Sequence, residues 1–126
     1  MRALVIDDFE PIRSLMAEIL TGIGFTVDEA ASGLEALDMI KKEKIDVAFV
    51  DWNIPEIDGC EFIQEVRKNS AYKDMRMIMV TAETAMNKIA KALEAGADEY
   101  IMKPFTKEMI VEKLALIGIF TSPAPE

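Results

Sequence analysis

Five polar side chains in this 126-residue sequence each follow a short apolar run: Asp7 and Asp8 after ALVI, Asp51 after VAFV, Thr81 after MIMV and Lys103 after EYIM. Adjacent aspartates repel unless a positive charge lies close to them. If the runs are strands of one parallel sheet, their carboxyl ends share a rim, and three carboxylates, a hydroxyl and an ammonium meet there. One divalent cation together with Lys103 neutralises the three acids. Mg²⁺ suits such a site, because it takes carboxylate, carbonyl and water oxygens and recruits phosphate as a further ligand. A carboxylate is also a nucleophile toward phosphorus, and a metal with a lysine neutralises charge on a phosphoryl group in transfer. Asp51 ends the central run and precedes the irregular NIPEIDG segment, so it is the expected nucleophile. Asp8, supported by Asp7, is the expected metal holder, and Thr81 the hydroxyl that bonds a phosphoryl oxygen. An isolated Asp-Asp pair would more simply end a strand and cap a helix. The matching residues at the other strand ends favour a site.

Composition removes several function classes. The chain has no histidine, which excludes histidine acid–base catalysis, histidine metal ligands and a phosphohistidine on this chain. The net charge of −9 argues against direct nucleic-acid binding, which needs basic clusters, and favours cationic partners or bound metal. No apolar stretch approaches the ~20 residues of a spanning helix, and the opening MRALVIDD lacks the form of a signal peptide. Neither a membrane nor a nucleic acid is therefore expected as a partner. The lone Cys60 fits a reducing compartment, so the expected location is cytoplasmic. The nine methionines read as core filler.

The elements that must position the rim alternate along the chain. ALVI, VAFV and MIMV are continuous apolar runs, as in strands covered on both faces; FTVDEA (25–30) and EYIM (99–102) are weaker strands. Between them run helical stripes: Ile12, Leu15, Met16, Ile19, Leu20 and Ile23; Leu34, Leu37 and Ile40; Phe62, Ile63 and Val66; Met86, Ile89 and Leu93; Met109, Ile110, Leu114 and Ile117. Pro11 suits a first turn, Gly22 or Gly24 a helix end, Asp58-Gly59 a helix start, and Thr106 an N-cap. Fivefold strand–helix alternation predicts an α/β domain with a parallel sheet and right-handed crossovers. The tail TSPAPE reads as disordered, leaving residues 1–120 as one domain and 121–126 outside it.

In their order and spacing, VIDDF, DWNIPEIDG, MVTAE and GADEYIMKPF resemble the receiver domains of two-component response regulators, most closely stand-alone chemotaxis regulators. The resemblance covers essentially the whole chain. It implies a single doubly wound five-stranded parallel sheet, (βα)5 and flavodoxin-like, with strand order 2-1-3-4-5. It implies Asp51 as phosphoacceptor, with Mg²⁺ on Asp8, Asp51 and the Asn53 backbone carbonyl, and Asp7 acting through water. Lys103 would contact the phosphoryl group and precede a cis peptide to Pro104, and Thr81 and Tyr100 would form a switch pair. The fourth helix, fifth strand and fifth helix, including Ile89, Tyr100 and Lys103, would form the output face. Asn53 and Glu83 would tune loss of the phosphate.

The implied partners are a histidine kinase as phosphoryl donor and an output protein, such as a flagellar motor switch, or a phosphatase, with the chain itself a monomer. Such a chain catalyses its own phosphorylation and hydrolysis, so calling it an enzyme is partly a matter of definition. Asp98 and Glu99 place negative charge beside Tyr100, which bears on partner choice. A phosphorelay intermediate, or a receiver cut from a longer regulator, would keep the same chemistry. A flavodoxin-like binding protein is disfavoured because DDFEP lacks the glycines and hydroxyls that cradle a phosphate. A small-molecule aspartate phosphatase is disfavoured because Asn53 stands where such enzymes carry their second aspartate.

Overall fold

The computed structural model describes residues 1–82 and 86–120. Five parallel strands, β1 (Arg2–Ile6), β2 (Thr26–Ala30), β3 (Val47–Asp51), β4 (Arg76–Thr81) and β5 (Glu99–Met102), form one sheet in the order β2-β1-β3-β4-β5. Among the described residues five α-helices connect and follow them, α1 (Glu10–Gly22), α2 (Gly33–Lys42), α3 (Gly59–Arg67), α4 (Met86–Ala95) and α5 (Lys107–Leu116), with a 3-10 turn at Ser70–Tyr72 before β4. This is the expected doubly wound α/β fold. Glu83 and residues 121–126 lie outside the described residues, and with them the expectations placed there.

The three continuous apolar runs are the three inner strands, and all five residues of β3 are buried. Their alternation divides the core into two layers. Leu4, Ile6, Ala48, Val50, Met77 and Met79 pack with Ala36, Ile40, Phe62, Ile63 and Ala92 on one face. Ala3, Val5, Val47, Phe49, Ile78, Val80 and Ile101 pack with Met16, Leu20, Ile110 and Leu114 on the other. The weaker runs are the edge strands, each paired on one side only among the described residues.

Local signals set the helix ends. Pro11 sits in the first turn of α1, where its missing N–H costs nothing. Asp58 caps α3 through a reciprocal box: Glu61 N donates to Asp58 Oδ1 at 2.8 Å, and Asp58 N donates to Glu61 Oε1 at 3.1 Å. Thr106 caps α5, its Oγ1 accepting from Met109 N at 3.2 Å. The stripes are narrower than the sequence suggests. Leu15, Leu34 and Leu93 are exposed, while small Ala36 and Ala92 take the close approaches to the sheet.

Candidate functional site

The rim forms where β1 and β3 end. Asp51 is the last residue of β3, and Asp7 and Asp8 follow β1 directly. Each of the three offers a carboxylate oxygen, and these oxygens lie within 4.8 Å of one another. Asp7 and Asp51 are buried, whereas Asp8 is exposed at the mouth. Lys103 enters from the end of β5, its Nζ 3.2 Å from Asp51 Oδ1 and 3.3 Å from Asp7 Oδ2. Lys103 N donates to Thr81 O at 2.9 Å, which prolongs the β4–β5 pairing and aims the side chain, and the Lys103–Pro104 peptide is cis. Thr81, 2% exposed, ends β4 in register with Met102.

Burial pushes the Asp51 carboxyl above its ordinary pKa. The charge of Asp7 adds to this, Lys103 opposes it, and Asp8 contributes a smaller push. Burial pulls Lys103 down, but the charges of Asp51 and Asp7 and their hydrogen bonds outweigh it, so its pKa stands above the ordinary lysine value. Three acids and one lysine leave an excess of negative charge among hard oxygen donors, and this donor set fits Mg²⁺.

Asn53, expected to offer its carbonyl, lies exposed in the loop after β3, two residues beyond Asp51. Tyr100 shares a sheet face with Thr81: Met79 pairs with Tyr100 and Thr81 with Met102, so the two stand diagonally on adjacent strands. Ile89 is buried on α4 and offers little to an output surface. The charges of Asp98 and Glu99 are not free. Asp98 Oδ2 accepts from Arg67 Nη2 at 3.0 Å and from Met77 N at 2.8 Å, and Glu99 Oε1 lies 3.4 Å from Lys113 Nζ. The negative charge expected beside Tyr100 is thus largely neutralised within the chain.

Three further residues support the rim. Arg13 Nη1 donates to Asp7 O at 2.8 Å and Nε to Glu29 Oε1 at 3.1 Å, so one guanidinium ties the β1–α1 turn to β2. Gly59 approaches the Asp51 main chain too closely for a Cβ. Trp52, 7% exposed, lies within the core, with Lys88 Nζ 5.3 Å from its ring centroid. The Asp-Gly pair announces its helix start and Trp52 adjoins the expected nucleophile in sequence, whereas the Arg13 contacts join distant segments and leave no local signal.

The fold and rim define a doubly wound α/β protein with an acidic, cation-seeking pocket at the carboxyl ends of its inner strands, where such sheets place their ligands. The chain belongs to the response regulator receiver domain family, whose model matches residues 3–115. It is 42% identical over 116 residues to a chemotaxis protein CheY homolog of Campylobacter jejuni, covering 90% of this chain and 89% of that protein. Among solved structures it is similar to the chemotaxis protein CheY4 of Vibrio cholerae, with a TM-score of 0.85, 35% identity and coverage of 90% and 95% of the two chains. It is also similar to a response regulator from Burkholderia pseudomallei with a phosphorylated aspartic acid, calcium ion and citrate (TM-score 0.81, 29% identity, 90% of this chain and 65% of that one). Membership places the chain in two-component signalling, where receiver domains take phosphoryl groups from histidine kinases and act on output partners. Receiver domains generally bind Mg²⁺ at an acidic pocket; here the acidic cluster is Asp7, Asp8 and Asp51. Among the described residues no helix is long and apolar enough to cross a membrane.

Proposed function

We propose that this chain is a phosphorylation-dependent switch whose phosphoacceptor is Asp51. An Asp51 oxygen attacks the phosphorus of a phosphohistidine on a partner kinase. The P–N bond breaks with its electron pair returning to the imidazole nitrogen, and a P–O bond forms. Lys103, within ion-pair distance of Asp51, takes up charge on the phosphoryl oxygens, and the Thr81 hydroxyl bonds one of them. Asp8, Asp51 and the Asn53 carbonyl would hold Mg²⁺, with Asp7 acting through water. Bound there, the ion supplies further neutralisation of the transferring group.

The observation that carries this reading is the placement of Lys103 Nζ between Asp7 and Asp51, inside a cluster of three carboxylates at adjoining strand ends. The similar Burkholderia response regulator, which carries a phosphorylated aspartic acid and a calcium ion, supports it. Thr81 and Tyr100, on one sheet face, form the switch pair that changes the surface of α4, β5 and α5. The chemotaxis relatives favour an output in flagellar motor control.

Intact mass after incubation with a small acyl phosphate tests the chemistry. A Mg²⁺-dependent gain of one phosphoryl group, absent in Asp51→Asn, supports it. No gain under any condition would withdraw Asp51 as acceptor.

A further inference from the structure

Among the described residues β5 is an edge strand, and its outer side carries main-chain groups that no neighbouring strand pairs. One of these is the Tyr100 N–H, which donates to Glu99 Oε1 at 3.0 Å. The same carboxylate oxygen accepts from Lys113 Nζ at 3.4 Å, and that ammonium lies 4.4 Å from the centroid of the Tyr100 ring. The direction of this reach is unusual. Alternation along β5 turns Ile101 toward the layer that contains α5, and Tyr100 toward the opposite layer. Lys113 belongs to α5, so its side chain passes round the open edge of the sheet to meet a ring on the other face.

We propose that Lys113 is a positioning residue for Tyr100: anchored by Glu99, it straps the ring across the open edge of β5 and holds it in its present pose. This rests on reading Tyr100 as half of the switch pair. An ordinary surface ion pair between Glu99 and Lys113 would contribute little and leave the ring indifferent. Here both side chains are largely covered, 20% and 23% exposed, which strengthens the attraction of a cation to a ring face. The two contacts share one nitrogen, so the ring cannot leave without the ammonium losing a partner. The strap also occupies the strand edge at which another chain could pair.

The chain has two tyrosines, Tyr72 and Tyr100, so 3-fluorotyrosine labelling yields two fluorine resonances, assigned with Tyr72→Phe. Lys113→Met should shift and broaden the Tyr100 resonance while leaving that of Tyr72 in place. Lys113→Arg, which keeps a cation able to stack on the ring, should restore it. Glu99→Gln should move it in the same direction as Lys113→Met, whereas added salt should move it little in the wild type, because the pair is largely covered. Freed from the strap, the ring samples other poses more often, and phosphorylation by an acyl phosphate should quicken roughly two- to fivefold. A Tyr100 resonance unchanged in both Lys113→Met and Glu99→Gln would overturn the strap. A resonance freed by Lys113→Met in a chain that takes up no phosphoryl group would keep the strap and sink the switch reading.

Discussion

Gly59 donates its N–H to Trp52 O at 2.8 Å, and a Cβ at Gly59 would collide with Asp51 O. The first residue of α3 is therefore a spacer that lets the helix start against the main chain of the proposed phosphoacceptor. Alanine normally favours a helix over glycine, but here overpacking reverses the sign. Gly59→Ala should lower the unfolding free energy by about 1–3 kcal/mol and slow phosphorylation of Asp51. Gly22, the last residue of α1, has no described atom within 4 Å of where a Cβ would stand and no positive φ. Gly22→Ala should instead stabilise by about 0.4–1 kcal/mol through the unfolded chain. Urea unfolding of both variants decides between steric contact and helix propensity.

The charge of Asp51 costs stability in the absence of metal, because burial and Asp7 outweigh Lys103. The folded-state pKa lies above the ordinary carboxylate value, so between the two the folded chain keeps a proton that the unfolded chain has lost. Stability from this group is greatest in acid, falls as pH rises through that window, and is lost above it. In metal-free buffer at pH 7, Asp51→Asn should unfold later than wild type, by on the order of 1 kcal/mol. The gap should close as pH drops into the ordinary carboxylate range. A less stable Asp51→Asn at pH 7 would show that the ion pair with Lys103 dominates.

Lys103 has the opposite sign. Its pKa is raised, so its contribution is present at and below the ordinary lysine value and is lost as pH rises through the higher folded value. Lys103→Ala should cost about 1–2 kcal/mol at neutral pH without metal, a figure reduced for its partial exposure. The deficit should shrink in strongly alkaline solution. The variant should still bind Mg²⁺ but lose phosphate-driven change at Tyr100. Normal activation of an output partner by Lys103→Ala would remove that role from the lysine.

Mg²⁺ should relieve the excess charge and stabilise the folded chain by mass action, about 2.7 kcal/mol at a concentration 100 times its dissociation constant. Trp52, adjoining Asp51 and buried, should change its fluorescence with the same apparent constant. Asp8→Asn should weaken both responses together. Equal stabilisation of Asp8→Asn and wild type would take Asp8 out of the ligand set.

Much of this was legible because parallel strands covered on both faces must be continuously apolar. ALVI, VAFV and MIMV therefore named β1, β3 and β4, and the residues that end them named the rim. The edge strands β2 and β5 were fainter, since one side of each meets no partner and polar residues are tolerated there. Leu15, Leu34 and Leu93 misled because helical spacing does not say where a helix comes close enough to need alanine. Asp98 and Glu99 misled more seriously, reading as free surface charge. Their partners, Arg67 and Lys113, are 31 and 14 residues away, and nothing local announces such pairs.

Arg67 offers the sharpest test of those hidden contacts. From the end of α3 its guanidinium donates to Gly96 O, Tyr72 O and Asp98 Oδ2, each at 3.0 Å. It thus joins the turn before β4, the end of α4 and the entry to β5. Gly96 has φ 119°, and a Cβ there would meet the Arg67 side chain, so the turn and the arginine fit each other. Removing the guanidinium takes one donor from each acceptor. Tyr72 O keeps Met75 N and Asp98 Oδ2 keeps Met77 N, but Gly96 O and the buried stem of the arginine lose their contact, and Arg67→Met should cost about 1–2 kcal/mol. Lys68, one residue on, pairs among the described residues with Glu65 alone, at the exposed helix surface. Lys68→Met should change stability by no more than about 0.5 kcal/mol. Urea midpoints that ranked the two variants equally would show that charge alone, and not the three-way contact, sets the contribution of Arg67.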